Sequence, residues 1–298
     1  MKIFVTGATG FVGSAVVREL LDAGHQVLGL VRSKEDASKL SALGAQAHLG
    51  DLKDMESLRE GAAAADGLIH TAFNHDFTRF KESCEEDRLI IQAFGEVYAR
   101  DHRPMVVTSA LGVMPRGRMV YESDKAVSSP NPRIATEQAC DAVAAHQGRV
   151  SVVRLSPSVH GPGDHGFIPM LIKIARDKGV SVYQEEGQNC WPAVHRLDVA
   201  KLYRLAVEKS APAGTRYHGL AEEGIPFREI AEAIGEGLKI PVRSMSKEDA
   251  AAHFGSFAHF AAMDIRASSQ ETQQSLGWKP VNSGLLADLQ GHVYFNHR

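Results

Sequence analysis

Residues 1–13 read Met1-Lys-Ile-Phe-Val-Thr6-Gly7-Ala-Thr9-Gly10-Phe11-Val12-Gly13. Ile3, Phe4 and Val5 predict a short buried strand. Val12, Val16, Val17, Leu20 and Leu21 then recur at helical spacing, so the glycines join a strand to a helix. A dinucleotide pyrophosphate needs that order. One glycine permits the tight turn, one lets the backbone approach the phosphates, and one lets helix pack on strand. Amide groups at the helix start then face the anion. The alternative is a glycine turn in some other α/β protein.

Working outward, the first half alternates strands (2–6, 25–31, 45–49, 67–72, 105–109, 150–155) with helices (12–23, 34–43, 54–64, 80–100, 132–146). Asn131-Pro132 gives the last helix an N-cap and a first-turn proline. The pattern predicts an α/β fold: a Rossmann-type, doubly wound parallel sheet with helices on both faces. After Leu155 the order changes. Residues 156–164, rich in Pro and Gly, predict a loop. Helices at 167–178, 198–209 and 226–238 follow, with short strands near 181–185 and 215–220. These predict a smaller substrate lobe over the carboxyl ends of the sheet, where ligands bind in open α/β folds. The division expected is 1–155 for cofactor and mainly 156–298 for substrate, with a return to the first lobe near 190–210.

The 298 residues suffice for a large core, and 44% hydrophobic with 23% charged residues is ordinary for a globular chain. A net charge of −3 gives no electrostatic case for nucleic acid or anionic membrane. No apolar run approaches the ~18 residues of a membrane span. A strand starting at residue 2 leaves no room for a targeting peptide. Cys84, Cys140 and Cys190, odd in number and far apart, fit a reducing cytoplasm and neither a disulfide frame nor a zinc site. No metal is expected.

With TGATGFVG in place, the chain resembles the extended and atypical short-chain dehydrogenase/reductases, the NAD(P)-dependent epimerase/dehydratase group. The likeness covers nearly the whole chain. Gly50-Asp51-Leu52 resembles that group's adenine-contacting segment. Ile69-His70-Thr71-Ala72 resembles the fourth-strand segment along the cofactor, and Val107-Thr108-Ser109-Ala110 the fifth-strand segment ending in the catalytic-position serine. Arg154-Leu-Ser156-Pro-Ser158-Val-His160 resembles the segment wrapping the nicotinamide end. Pro192-Ala-Val-His195-Arg-Leu-Asp198-Val-Ala200 and Leu276-Gly-Trp-Lys-Pro280 resemble two later motifs of the family.

Strand two ends in Arg32-Ser33-Lys34. An NAD site usually places Asp or Glu there for the ribose hydroxyls, which would repel a 2′-phosphate. Arg32 suits that phosphate, so NADP(H) is favoured over NAD(H). The alternative is an exposed basic residue that merely opens the next helix.

The resemblance implies a Tyr-x-x-x-Lys pair on the helix before strand six, with the tyrosine exchanging a proton with substrate. Counting back from Glu137 puts Arg133 at the lysine position and Ser129 at the tyrosine position, and serine is a poor proton donor there. Tyr121-Glu-Ser-Asp-Lys125 has the right spelling but lies in a predicted loop ahead of Pro130 and Pro132, where Tyr121 also reads as an ordinary loop residue. Ser109, Tyr121 and Lys125 are the catalytic candidates. Asp87 stands where the superfamily often has a water-organising asparagine; it reads equally as part of a solvated acidic face with Glu82, Glu85 and Glu86.

The cofactor candidates are Thr6, Gly7, Thr9, Gly10, Phe11, Val12, Gly13, Arg32, Ser33, Asp51, Leu52, Thr71, Ala72, Phe73, Ser109, Arg133, Ser156 and Ser158. His75, His165 and Trp191 are the substrate candidates, because their segments should converge near the nicotinamide. The leading reading is an NADP(H)-dependent oxidoreductase of a small carbonyl or alcohol. An epimerase or dehydratase with retained cofactor, and an NADP-sensing regulator without turnover, are the alternatives. Leu89, Ile90, Phe94 and Val97 fit a homodimer through helices 80–100 and 132–146, and they fit intramolecular packing as well.

Overall fold

The computed structural model describes residues 1–99, 101–126, 131–209, 211–291 and 293–295. The first half runs β1 (Lys2–Thr6), α1 (Phe11–Asp22), β2 (Gln26–Val31), α2 (Lys34–Ala42), β3 (Gln46–Leu49), α3 (Met55–Ala63), β4 (Gly67–His70), α4 (Phe80–Tyr98), β5 (Met105–Ala110), β6 (Met119–Val120), α5 (Ile134–Ala145) and β7 (Val150–Leu155). The second half runs β8 (Ser158–His160), α6 (Phe167–Lys178), β9 (Ser181–Gln184), β10 (Cys190–His195), α7 (Arg196–Glu208), β11 (Thr215–Gly219), β12 (Glu222–Pro226), α8 (Phe227–Leu238), β13 (Val242–Met245), α9 (Lys247–Phe254), α10 (Ala258–Ala261), β14 (Arg266–Ala267), α11 (Gln270–Leu276) and α12 (Leu285–Gln290).

Among the described residues, seven strands form one parallel sheet in the order β11-β7-β5-β4-β1-β2-β3. The central strands β1, β4, β5 and β7 are largely buried on both sides because helices cover both faces. Ile3 and Val5 turn to one face, against Val16 and Leu20 of α1 and Leu202 and Val207 of α7. Phe4 turns to the other, against Leu58 of α3 and Phe94 of α4. Glycine permits close approach at Gly95, where a Cβ would lie 2.5 Å from Val143 Cγ2 of α5.

The chain order changes β1–β4–β5 against β1–β2–β3, which opens a crevice at the carboxyl ends of β1 and β4. Of the elements after β7, α7 and β11 pack with the main sheet, while α6, β9, α8, α9 and α10 pack together apart from it. Their own core gathers Trp191, Phe227, Ile230, Phe254 and Phe257. The return to the first lobe is larger than 190–210: β11 pairs with β7 as the edge strand of the main sheet. Asp198 on α7 ties down the C-terminal segment. Its carboxylate accepts from Val281 N (3.0 Å) and Asn282 N (3.1 Å), while Trp278 Nε1 donates to its carbonyl (2.9 Å).

Some expectations need correction. Residues 156–164 contain β8, which pairs with β10; three residues with no apolar run give no strand signal of their own. The helix expected at 132–146 starts at Ile134. Asn131 Oδ1 accepts from Arg133 N (3.0 Å), so the Asn-Pro pair makes a turn before the helix rather than its cap. The strand expected at 67–72 ends at His70.

Candidate active site

The turn after β1 is built from backbone requirements. Gly7 has φ +71°, and a Cβ there would lie 2.8 Å from Ala72 N. At Gly13 a Cβ would come within 2.0 Å of Gly7 O, so this glycine sets the contact of helix with strand. Gly10 differs: within the protein a Cβ would meet only Gly7 O, at 3.2 Å, so its outer side is open. Gly10 caps α1 without a side-chain hydrogen bond, and the first turn carries no acidic residue. The first intrahelical bond runs from Ser14 N to Gly10 O. The amides of Phe11, Val12 and Gly13 therefore have no intrahelical partner. That cradle fits a diphosphate. Exposed Thr9 flanks it. Phe11 leans edge-on to His165 at 5.8 Å and lies under the Arg196 guanidinium at 5.1 Å, while Val12 packs on the α1 side of the core.

At the end of β2, Arg32 is exposed and makes no hydrogen bond or ion pair among the described residues. The Ser33 hydroxyl caps α2 by accepting from Asp36 N (3.1 Å), so its acceptor role is used by the fold. Asp51 Oδ1 accepts from Lys53 N (3.0 Å) in the turn after β3, and Leu52 packs against the α3 side of the core.

Beneath the crevice lies a buried polar chain. Thr6 Oγ1 is 2.6 Å from His70 Nδ1, and His70 Nε2 donates to Asp87 Oδ1 at 3.1 Å. Asp87 Oδ2 accepts from Thr136 Oγ1 (2.6 Å) and pairs with Arg133 Nη1 (2.9 Å). Arg133 Nη2 donates to Thr108 O (3.1 Å), and its guanidinium stacks on the Phe73 ring at 3.7 Å. Thr108 Oγ1 donates to His70 O (2.7 Å) and lies 2.6 Å from the Tyr203 hydroxyl. Asp87 is 3% exposed, so it is not part of a solvated face. Burial alone would raise its pKa, but Arg133 and His70 outweigh that and hold the carboxyl below its usual range. Thr71 Oγ1 donates to Thr6 O (2.8 Å), and Ala72 N reaches Thr6 Oγ1 at 3.4 Å. Thr6 and Thr71 thus spend their hydroxyls joining β1 to β4.

A second buried set lies beyond β5. Glu137 holds Arg154 through paired bonds of 3.0 and 3.1 Å and also meets Arg216 at 3.2 Å. Burial opposes its ionisation, yet the two guanidiniums keep it below the usual carboxylate range. Ser109, opposite Arg154 in register, is 1% exposed, and its hydroxyl faces the Glu137 carboxylate and adds to the stabilisation of that charge.

The remaining candidates scatter. Tyr121 is exposed on the loop after β6 and its backbone N bonds Asp124; Lys125 is exposed too, and the two side chains share no hydrogen bond. Ser129 lies outside the described residues. Ser156 Oγ donates to Gly219 O (2.8 Å), which ties β7 to β11, whereas Ser158 Oγ is buried without a partner. His75 and His165 are solvent-accessible. Surrounding protein desolvates the His75 ring and the Arg133 charge opposes its protonation, so its pKa falls below the ordinary value. Trp191 is 0% exposed and packs on Phe227 at 5.1 Å: alternation along β10 turns it into the second lobe's core, not into the cleft. Ile90 and Phe94 are likewise core residues. His70 and Thr136 gave no local signal; only the position of Asp87 in a family pattern pointed toward their network.

The profile of the NAD dependent epimerase/dehydratase family matches residues 3–218. The uncharacterized protein C2A9.02 of Schizosaccharomyces pombe is 50% identical over 99% of this chain and 100% of its own length. The 4-hydroxy-2-methyl-3-oxo-4-farnesyl-3,4-dihydroquinoline-1-oxide ketoreductase of Stigmatella aurantiaca is 30% identical over 86% of this chain and 80% of that one. The fold also matches a dTDP-glucose 4,6-dehydratase from Streptomyces venezuelae, solved with NAD, with a TM-score of 0.78 at 19% identity over 97% and 96% of the two chains. The diphosphate cradle, the parallel sheet and the match across most of its length place this chain in the NAD dependent epimerase/dehydratase family, as an enzyme.

Proposed function

We propose that this chain is a carbonyl reductase that uses NADPH. The observation that carries the reading is the Ser109 hydroxyl. It is buried at the carboxyl end of β5, beside the Glu137 carboxylate and one residue from the carbonyl that holds Arg133. A substrate carbonyl oxygen needs such a donor. The name of the Stigmatella relative, a ketoreductase, supports the same chemistry. Arg32 supports NADPH over NADH, since it offers a guanidinium where a carboxylate would repel the 2′-phosphate.

When bound, NADPH would supply the hydride. The amides of Phe11 and Val12 would hold its diphosphate, Arg32 would pair with the extra phosphate, and Ser109 would donate to the substrate carbonyl oxygen. His75 delivers the proton that completes the alcohol. Its lowered pKa makes turnover fall as pH rises through a midpoint below about 6.5. The Leu89 side chain, 44% exposed on α4, marks the seam of a homodimer that light scattering would register at twice 32.3 kDa.

The test is NADPH deuterated at the transferring position, with a panel of ketones and aldehydes. One deuterium in the product alcohol, with matching NADP⁺ release, is expected. Product formed with no net NADPH loss would replace this reading with epimerisation or dehydration, and NADPH binding without any turnover would leave a sensor.

A further inference from the structure

α1 and α7 lie side by side and run parallel. Their first residues meet, with the Arg196 guanidinium over the Phe11 ring at 5.1 Å. Eight residues further along each helix, Arg204 Nε donates to Glu19 Oε1 at 2.7 Å. Between these two contacts, Val16 of α1 shares a core with Val199 and Leu202 of α7. This packing fixes where α7 begins: beside the first turn of α1, whose amides have no intrahelical partner. The guanidinium lies between Phe11 and the loop after β8, where a Cβ on Gly163 would be 3.8 Å from Arg196 Nη1.

Arg196 is half-buried there and makes no hydrogen bond or ion pair among the described residues. The acidic residues of the adjoining segments are committed elsewhere. Asp164 accepts from Gly166 N (2.7 Å) and from the Tyr294 hydroxyl (2.8 Å). Asp198 accepts from Val281 N, Asn282 N and Asn282 Nδ2. Glu19 holds Arg204, and the first turn of α1 carries no acidic residue. Helix starts carry partial positive charge, so a cation in the first turn of α7 and against that of α1 stands against both dipoles. A diphosphate on the α1 amides supplies the counter-charge that the adjoining segments withhold.

We propose that Arg196 is a cofactor-binding residue that pairs with the diphosphate held by the α1 amides. Arg32 reads the adenosine end and Arg196 the bridge. Loss of Arg196 therefore weakens every ligand that carries the diphosphate by the same factor, whatever its 2′ group. This rests on the cradle serving the dinucleotide of the reductase reading, and not on hydride transfer.

The experiment titrates the full protein calorimetrically with NADP⁺, NAD⁺, ADP-ribose and adenosine, as wild type, Arg196→Gln and Arg196→Lys. One charge-assisted contact from a half-buried guanidinium predicts about 10-fold weaker NADP⁺, NAD⁺ and ADP-ribose in Arg196→Gln, with adenosine within about 2-fold and partial recovery in Arg196→Lys. Added salt should weaken NAD⁺ more in wild type than in Arg196→Gln. A thermal melt without ligand should stay close to wild type, since the side chain joins no polar network of the fold. Unchanged affinity for all three diphosphate ligands, an equal loss of adenosine, or a loss confined to NADP⁺ overturns the assignment. So does a loss seen with both dinucleotides but not with ADP-ribose, which would put Arg196 at the nicotinamide end. The expected pattern in a protein that reduces no ketone or aldehyde would sink the reductase reading and leave Arg196 standing. NADPH-dependent reduction with unchanged cofactor affinity in Arg196→Gln would do the reverse.

Discussion

Replacing Asp87 with asparagine removes one charge and little volume. In the native chain the carboxylate is 3% exposed and faces Arg133 at 2.9 Å, His70 at 3.1 Å and Thr136 at 2.6 Å. The amide keeps a hydrogen-bond acceptor for one of these groups but leaves the Arg133 cation without a counter-charge. Breaking a buried ion pair from one side costs about 3–5 kcal/mol. Unfolding entropy near 2.1 cal/mol/K per residue over 298 residues converts this to a melting-temperature loss of about 5–8 °C. The pH dependence has a definite sign. The Asp87 carboxyl is held below its usual range, so its contribution is complete above the unfolded value near 4 and is lost as pH falls further. The gap between wild type and Asp87→Asn should therefore be widest at neutral pH and begin to narrow only below about pH 4. Adding Arg133→Met should recover part of the loss, since it removes the orphaned cation. Differential scanning calorimetry from pH 3.5 to 7.5 measures all three. A loss under about 2 °C at pH 7, or a gap that persists unchanged into acid, would refute the account of Asp87 as the counter-ion.

Four other outcomes follow from single residues. Arg32→Ala should weaken NADPH by about 10-fold while leaving NADH nearly unchanged, the value of one exposed charge-assisted bond; fluorescence titration with both cofactors reads it. Gly13→Ala would place a Cβ 2.0 Å from Gly7 O and should destabilise the fold by at least about 1–3 kcal/mol in urea denaturation. Gly10→Ala meets only Gly7 O at 3.2 Å, so it should melt close to wild type and lose cofactor affinity instead. His218, 0% exposed between Ser268 O and Arg154, has its pKa pushed down to about 4 by burial. The unfolded ring binds its proton from about pH 6.5, so stability should fall as pH drops from 6.5 toward 4. His218→Gln should flatten that slope in a pH series of thermal melts.

The elements legible in the sequence are those that carry their own signal. β1, β2, β4, β5 and β7 are apolar runs bounded by turns, and α1, α6 and α8 repeat their apolar residues at helical spacing. The illegible ones draw their structure from a partner. β6 and β14 are two residues each and exist because Met119–Val120 pairs with Arg266–Ala267, a register nothing local encodes. Trp191 illustrates the same limit for the site: its segment was expected to converge near the nicotinamide, but which side chains of β10 turn into the second core depends on α6 and α8 packing there. The glycine cradle was legible because backbone sterics restrict it to one spelling. The His70–Asp87–Arg133 network was not. Its members come from β4, α4 and the turn before α5, and around Asp87 the run Glu85-Glu86-Asp87-Arg88 has the composition of a solvated helix face.

That network also bears on what Arg133 is for. Buried ion pairs are weak sources of stability, and apolar groups of matching volume often replace them without loss. A chain running from Thr6 through His70 and Asp87 to Arg133 must satisfy every polar atom or be worse than an apolar core. Leucine or methionine at these positions would hold β1, β4 and β5 together equally well. What such residues could not supply is a guanidinium fixed in one orientation, with Thr108 O on one nitrogen, Asp87 on another and the Phe73 ring beneath. The rigidity of three separate anchors matters only if something is to be placed against that plane. The carboxyl ends of β4 and β5 are where an open α/β sheet receives its ligand. Asp87, Thr108 O and the Phe73 ring together fix the Arg133 guanidinium at the carboxyl ends of β4 and β5, and His70 in turn holds Asp87 in place.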